Sequence, residues 1–578
     1  FEALAQRALL QGEPQRAQQI LRDLMARYPN HSEAGLQLAE AYEQSGDLGA
    51  AIEVLQHQVE IDPANPRGWY LLAKNSILSG NGRQAVDEYL VRALVLQNKL
   101  RSRQGKADVL NAFGVAYREL GELEQAGEHY RQAAQLRREI GDLRGYATTL
   151  RNLSGIDLVR GDFNSAQDNL EQALAILVQI GDQAGIADVH NDSGVLEEER
   201  GRYAAALEHY RRGLQLRRQL GDQRAIAESQ SNVGYAYYLQ AQYDNAMVYW
   251  QQSLDLVRQS GNLRGVVLGT QNIGLLQLAQ GDWDAAAKSF LTALEQGRKV
   301  EHENAVAVSL GHLGRLAQWQ GRFPAALASY AEALEILERL GDQRGQVEFG
   351  LGAAETLLDL GLWTQVQERL ESVGAMLESG GNHEQRAELL RLRGELHRKR
   401  HESAAALRAF QSALEEARAG HALVALLFAR LGSVAASLNQ NGDAQAAVTE
   451  LAKLESEADP IGHALLELRI LETLALAELR RGQLERAEQA VSRALRRAGR
   501  CGSYAGAHRL HWLHSQILQA RGSEAAATSA RGRAAAELLR IRTALDPTQR
   551  QGFDQLVEVR EIDHGTTQRE DSGSRTAT

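Results

Sequence analysis

One cysteine, Cys501, and seven prolines are all that 578 residues hold of either type. A lone thiol excludes an intrachain disulfide and a thiolate zinc cluster, and it predicts a reducing, cytoplasmic setting. Scarce proline in a chain dominated by Ala, Leu, Gln, Glu and Arg leaves little besides helix, because these residues lose least on becoming helical. β-Branched runs at strand spacing are missing too. The longest apolar runs, such as Ala422 to Ala429, fall far short of the roughly 20 residues a bilayer demands, so no membrane insertion is expected. A net charge of −10 gives no basic footprint for nucleic acid. No Gly-x-x-x-x-Gly-Lys-Ser/Thr loop occurs, and Ser79-Gly80-Asn81-Gly82-Arg83 reads as a turn. No nucleophile, base and orienting acid can be assembled, so neither enzymatic activity nor a cofactor is expected of this segment. The start at Phe1, with no initiator Met and no signal pattern, predicts an excerpt of something longer.

What is present is repetition. Gly141, Gly181, Gly221, Gly261 and Gly341 fall on one forty-residue lattice, and Gly121, Gly161, Gly201, Gly281, Gly321 and Gly361 fall on a second. Two lattices mean two helix ends per unit, and a sustained period of this length predicts an all-α solenoid whose units bury their apolar faces only against neighbours. In the unit 147–186 a first helix ends at Gly161, Asp162 caps a second helix carrying Ala166, Leu170, Ala173 and Leu174 on one face, and Gly181-Asp182 restarts the cycle. Gly12, Gly46 and Gly80 are spaced by 34, a step of 41 leads to Gly121, and later turns step by 40 or 41 through 401 to Gly442, Gly482 and Gly522. About fourteen helix–turn–helix units result. After Pro547 the residues Phe553, Leu556, Val557 and Val559 predict a terminal cap over the bare last face, and the Thr- and Ser-rich stretch from 564 predicts a disordered tail. The expected divisions are 1–105, 106–426, 427–545, the cap 546–563 and the tail 564–578.

Within a unit, a small residue at position 8, Gly at 15, Ala at 20, an aromatic at 24 and Ala at 27 resemble the tetratricopeptide repeat. Gly114, Tyr117, Gly121, Ala126, Tyr130 and Ala133 fill the pattern, Gly234, Tyr237, Ala246 and Trp250 fill most of it, and Gly314, Gly321, Ala326, Tyr330 and Ala333 fill it again. Arg393 and His401 depart from it. The forty-residue units are similar to those of Pins/LGN-type adaptors and of the C-terminal sensor regions of bacterial Ser/Thr kinases and signalling ATPases. The resemblance implies a superhelical solenoid whose concave groove takes a protein or peptide partner.

The candidate groove residues follow from register. The sixth position of successive first helices reads Ala112, Asn152, Asp192, Asn232, Asn272 and His312, a row rich in carboxamides that can both donate to and accept from a peptide backbone. The competing use is satisfaction of neighbouring helices. The ninth and twelfth positions supply Tyr235 and Tyr238 as an aromatic anchor site and Arg315 and Gln318 beyond it. His508, His511 and His514 lack metal-ligand spacing and read as surface histidines. Arg131, Arg137, Arg138, Arg211, Arg212, Arg217 and Arg218, set among Glu residues on second helices, read as a solvated outer face. The leading expectation is a non-enzymatic interaction scaffold; the alternatives are the regulatory part of a bacterial signalling enzyme lying upstream of Phe1, and self-association.

Overall fold

Every glycine of the two lattices takes the left-handed conformation, from φ +68° at Gly261 to +88° at Gly281. Where the lattice lacks glycine the backbone does not change: Ala241, Glu301 and His401 adopt φ of 56°, 52° and 61°, although an L-residue there costs about 1–2 kcal/mol. Turn geometry is therefore imposed by the packing of the helices it joins. The computed structural model describes residues 1–29, 31–379, 381–439 and 442–573, and among these there is no strand.

The reference unit consists of the helices Leu143–Val159 and Phe163–Gln179, followed by Gln183–Glu199 of the next unit. Their starts are fixed by aspartates: Asp142 accepts from the Gly145 amide at 2.9 Å, Asp162 from Ser165 at 3.1 Å and Asp182 from Gly185 at 3.1 Å. Each satisfies one of the orphan donors of a first turn. Inside the hairpin a small residue admits a large one. A Cβ on Gly234 would lie 2.5 Å from the Trp250 ring, and this gap lets the indole become 1% exposed while its Nε1 donates to the Ser231 carbonyl at 2.9 Å. The 41-residue step after Gly80 coincides with a π-helical turn, Ala85–Tyr89, in which i→i+5 bonding accommodates an extra residue.

Two expectations are corrected by packing. Arg137 and Arg217 do not lie on a solvated face: they are 6% and 8% exposed. Arg217 donates to the Ala225 carbonyl, the Ser229 hydroxyl and Asp188 at 2.8–3.1 Å, and Arg137 repeats the set with Gly145, Thr149 and Asp108 at 2.7–2.8 Å. They join one second helix to the first helices on both sides. His508 is likewise a core residue, 3% exposed and edge-on to Phe553 at 6.2 Å.

The superhelix winds tightly enough to touch itself. A Cβ on Gly201 would meet the backbone of Gly420, one on Gly281 would meet Ala464 and Cys501, one on Gly321 would meet Ala505, and one on Gly361 would meet Gly552. These partners lie about five units further along the chain. Arginines of the later turn satisfy carbonyls where earlier first helices end: Arg497 donates to the Gln280 carbonyl at 2.8 Å, and Arg540 to that of Gln320 at 3.3 Å. Cations at helix C-termini are favoured by the dipole as well as by the orphan carbonyls. One core cluster accordingly joins Trp250 and Leu276 to Leu427, Leu451 and Ile470. At the end of the chain Phe553, Leu556, Val559 and Ile562 bury against both the last hairpin and Phe323 and Leu360 of the earlier turn. The final helix runs from Val557 to Gly573; of the segment 564–578 expected as a disordered tail, residues 574–578 lie outside the described residues.

Candidate functional site

Because the turns touch, the expected trough narrows to a partly open chamber. First helices of seven successive units, from Gln223–Leu239 to Ala464–Arg480, converge on one cavity of about 290 Å³. Early units present the C-terminal halves of their helices through Tyr235, Tyr238, Leu275, Leu278, Arg315 and Gln318. Later units present N-terminal halves through Arg344, Glu348, Glu384, Glu388, Val424 and Phe428. Superhelical pitch slides successive helices past the chamber in this way.

Tyrosines form one wall. Tyr235 and Tyr238 stack with centroids 6.3 Å apart at 15°, and Tyr238 continues onto Tyr243 and Trp250 at 5.6 Å each. Burial pushes the Tyr238 hydroxyl up to about 12, so it stays protonated at neutral pH. Opposite, Arg315 donates to Glu348 at 2.9 Å, and although burial opposes ionisation the guanidinium holds the Glu348 carboxyl below its ordinary range. Gln318, 2% exposed, donates to Glu355 at 3.1 Å and accepts from the Tyr330 hydroxyl at 3.3 Å. Arg391 bridges Glu355 at 2.9 Å and Glu388 at 2.7 Å while lying over the Phe428 ring at 5.7 Å. His463 closes the floor among Tyr243, Trp319 and Phe428, with centroids 5.7–6.5 Å away. Burial lowers its pKa to about 4, so the ring is neutral, and its Nδ1 accepts from the Leu466 amide at 3.3 Å to cap the next helix.

Of the residues singled out from sequence, Tyr235, Tyr238, Arg315 and Gln318 come together in this chamber. The sixth-position row does not. Asn152 donates to Asn111 at 2.9 Å, Asn232 to Asn191, and Asn272 to Ser231 at 3.3 Å, a ladder binding each first helix to the one before. Asp192 accepts from Arg151 at 2.6 Å. His312 is 3% exposed between Phe290 and Phe349, at 5.1 and 5.4 Å, and burial lowers its pKa to about 4. It belongs to the core.

Arg344, Glu348, Glu384, Glu388 and Arg391 were not anticipated. Their signal was nevertheless present, since Arg344 and Glu384, like Glu348 and Glu388, are forty residues apart and so occupy equivalent positions. Among the described residues no group of three or more His, Cys, Asp or Glu side chains could hold a metal, and no helix is long and apolar enough to cross a membrane.

Comparison with known proteins bears on the repeat itself. No curated protein matches the chain. A Rap protein crystallised with Competence and Sporulation Factor is similar in structure at 14% identity and a TM-score of 0.43, covering 60% of this chain and 98% of its own. The APC/C hetero-tetramer Cut9-Hcn1 is similar at 14% identity and a TM-score of 0.44, covering 92% and 95%. Residues 8–74, 105–177, 185–259 and 266–339, together half of the sequence, match the tetratricopeptide repeat; with the paired helices, the turn glycines and the small–aromatic contact at Gly234 and Trp250, this places the chain in the tetratricopeptide repeat family.

Proposed function

We propose that this array is a protein–protein interaction scaffold that captures a partner segment by seating an anchor side chain in the chamber behind Tyr235 and Tyr238. The observation that carries this reading is convergence: seven first helices, drawn from a long stretch of chain, line one chamber with aromatic, cationic and anionic side chains. At about 290 Å³ that space lies at the lower end of small-ligand sites. It suits one or two side chains or a chain end better than a long extended strand. Aromatic anchors in desolvated pockets dominate interface energetics, and polar neighbours set orientation.

The test is site-specific photocrosslinking in cells of the native source. A benzophenone amino acid replaces Tyr238 in one variant, and in a control it replaces Val248, which is 53% exposed on a second helix. A discrete crosslinked polypeptide from position 238 and none from 248 is expected. Equal yield from both positions, or none from 238, removes the chamber from the argument.

A further inference from the structure

The charges of the chamber do not balance. Three arginines, Arg315, Arg344 and Arg391, and four glutamates, Glu348, Glu355, Glu384 and Glu388, line it. Each arginine is committed: Arg315 to Glu348 at 2.9 Å, Arg391 to Glu355 at 2.9 Å and to Glu388, and Arg344 to Glu199 and to the Tyr235 hydroxyl at 3.2 Å each. Glu348, Glu355 and Glu388 therefore have partners. Glu384 has no hydrogen bond or ion pair among the described residues. It sits in the first turn of His383–Lys399, where the helix dipole favours a negative charge. Burial nonetheless pushes its carboxyl pKa up; the charge of Arg344 offsets this only in part, and Glu348 and Glu388 add repulsion. It lines the same cavity as Tyr235 and Tyr238. An acid with no hydrogen-bonded partner that shares a cavity with stacked aromatic rings has the two attributes that select a cation, a counter-charge and ring quadrupoles in a partly desolvated space.

We propose that the anchor accepted by this chamber is a cationic side chain, arginine ahead of lysine, lying against Tyr235 and Tyr238 with Glu384 as its counter-ion. Arginine is preferred because its planar fork can stack on a ring while donating to a carboxylate. The inference rests on the chamber being the partner site.

N-acetyl-arginine amide, N-acetyl-lysine amide and N-acetyl-glutamine amide serve as probes, read by saturation-transfer NMR on the whole chain with Glu384→Gln and Tyr238→Leu as variants. Saturation transfer is expected for the arginine probe, weaker transfer for lysine and none for glutamine. Glu384→Gln should weaken arginine binding at least tenfold without lowering the melting temperature, because the carboxyl it replaces has no partner to lose. Tyr238→Leu should weaken it as well. Equal binding of the glutamine probe, no binding of arginine, or full binding by Glu384→Gln overturns the cation assignment. Crosslinking from position 238 in any of those cases leaves the scaffold reading intact, and its absence removes both.

Discussion

The contact between turns of the superhelix is measurable with two matched glycine substitutions. Gly161 and Gly201 occupy the same position in successive units, at φ of +75° and +71°. A Cβ on Gly161 meets nothing within 4 Å, whereas one on Gly201 would lie 2.6 Å from the Gly420 carbonyl oxygen and 2.8 Å from its Cα and carbonyl carbon. Gly161→Ala should therefore cost only left-handed strain, about 1–2 kcal/mol, less the ~0.4–1 kcal/mol gained by restricting the unfolded chain. Gly201→Ala carries that same term and must also push the two backbones apart by about 0.7 Å to reach an ordinary carbon–oxygen separation. Overpacking of this kind adds about 1–3 kcal/mol. Since a repeat array need not unfold as one unit, hydrogen exchange resolved by peptide is the suitable assay. Gly201→Ala should accelerate exchange around residues 417–425, more than two hundred positions away in sequence, and Gly161→Ala should leave that segment unchanged. Identical exchange in the two variants would show that the turns do not touch in solution.

Two further predictions concern buried charge. Lys399 and Glu558 pair at 3.0 Å with side chains 12% and 29% exposed, so Glu558→Gln should cost about 3 kcal/mol and expose the C-terminal segment to protease, while Lys399→Met with Glu558→Leu should restore protection. His312 has its folded pKa lowered to about 4, so the unfolded chain takes up its proton first: stability falls as pH drops from 6.5 towards 4, by about 3 kcal/mol at most. His312→Leu should make the fall of melting temperature with pH shallower in that window, the buried His463 and His508 still contributing, and an unchanged slope would refute the assignment.

Local structure was readable because it is set by residues within one unit. Gly161 and Gly181 mark helix ends by the conformation they alone adopt cheaply, Asp162 and Asp182 announce the starts, and the Gly234–Trp250 pair reveals which helices face each other. For the same reason the ninth and twelfth positions picked out side chains that share one cavity, Tyr235, Tyr238, Arg315 and Gln318. Enclosure was not readable. It depends on a small rotation compounded over five units, to which no single residue commits, and so the Gly201–Gly420 contact and the Arg497 bond to Gln280 leave no local mark. The sixth-position row went astray because a carboxamide on a concave face can serve a ligand or its neighbour with equal chemistry, and Asn232 finds Asn191 within reach. His312 shows a different limit: its placement between Phe290 and Phe349 depends on aromatics contributed by two other helices.

Contacts between residues about five units apart have a consequence for how such a gene can change. In an open array, duplicating or losing one hairpin lengthens or shortens a ribbon and disturbs only the joint. Here a single hairpin added between residues 281 and 420 would shift the later edge against the wrong mate, putting a side chain where Gly201 must meet Gly420 and moving Arg497 away from the carbonyl it serves. The number of hairpins between such mates is therefore a fixed structural quantity rather than an adjustable one.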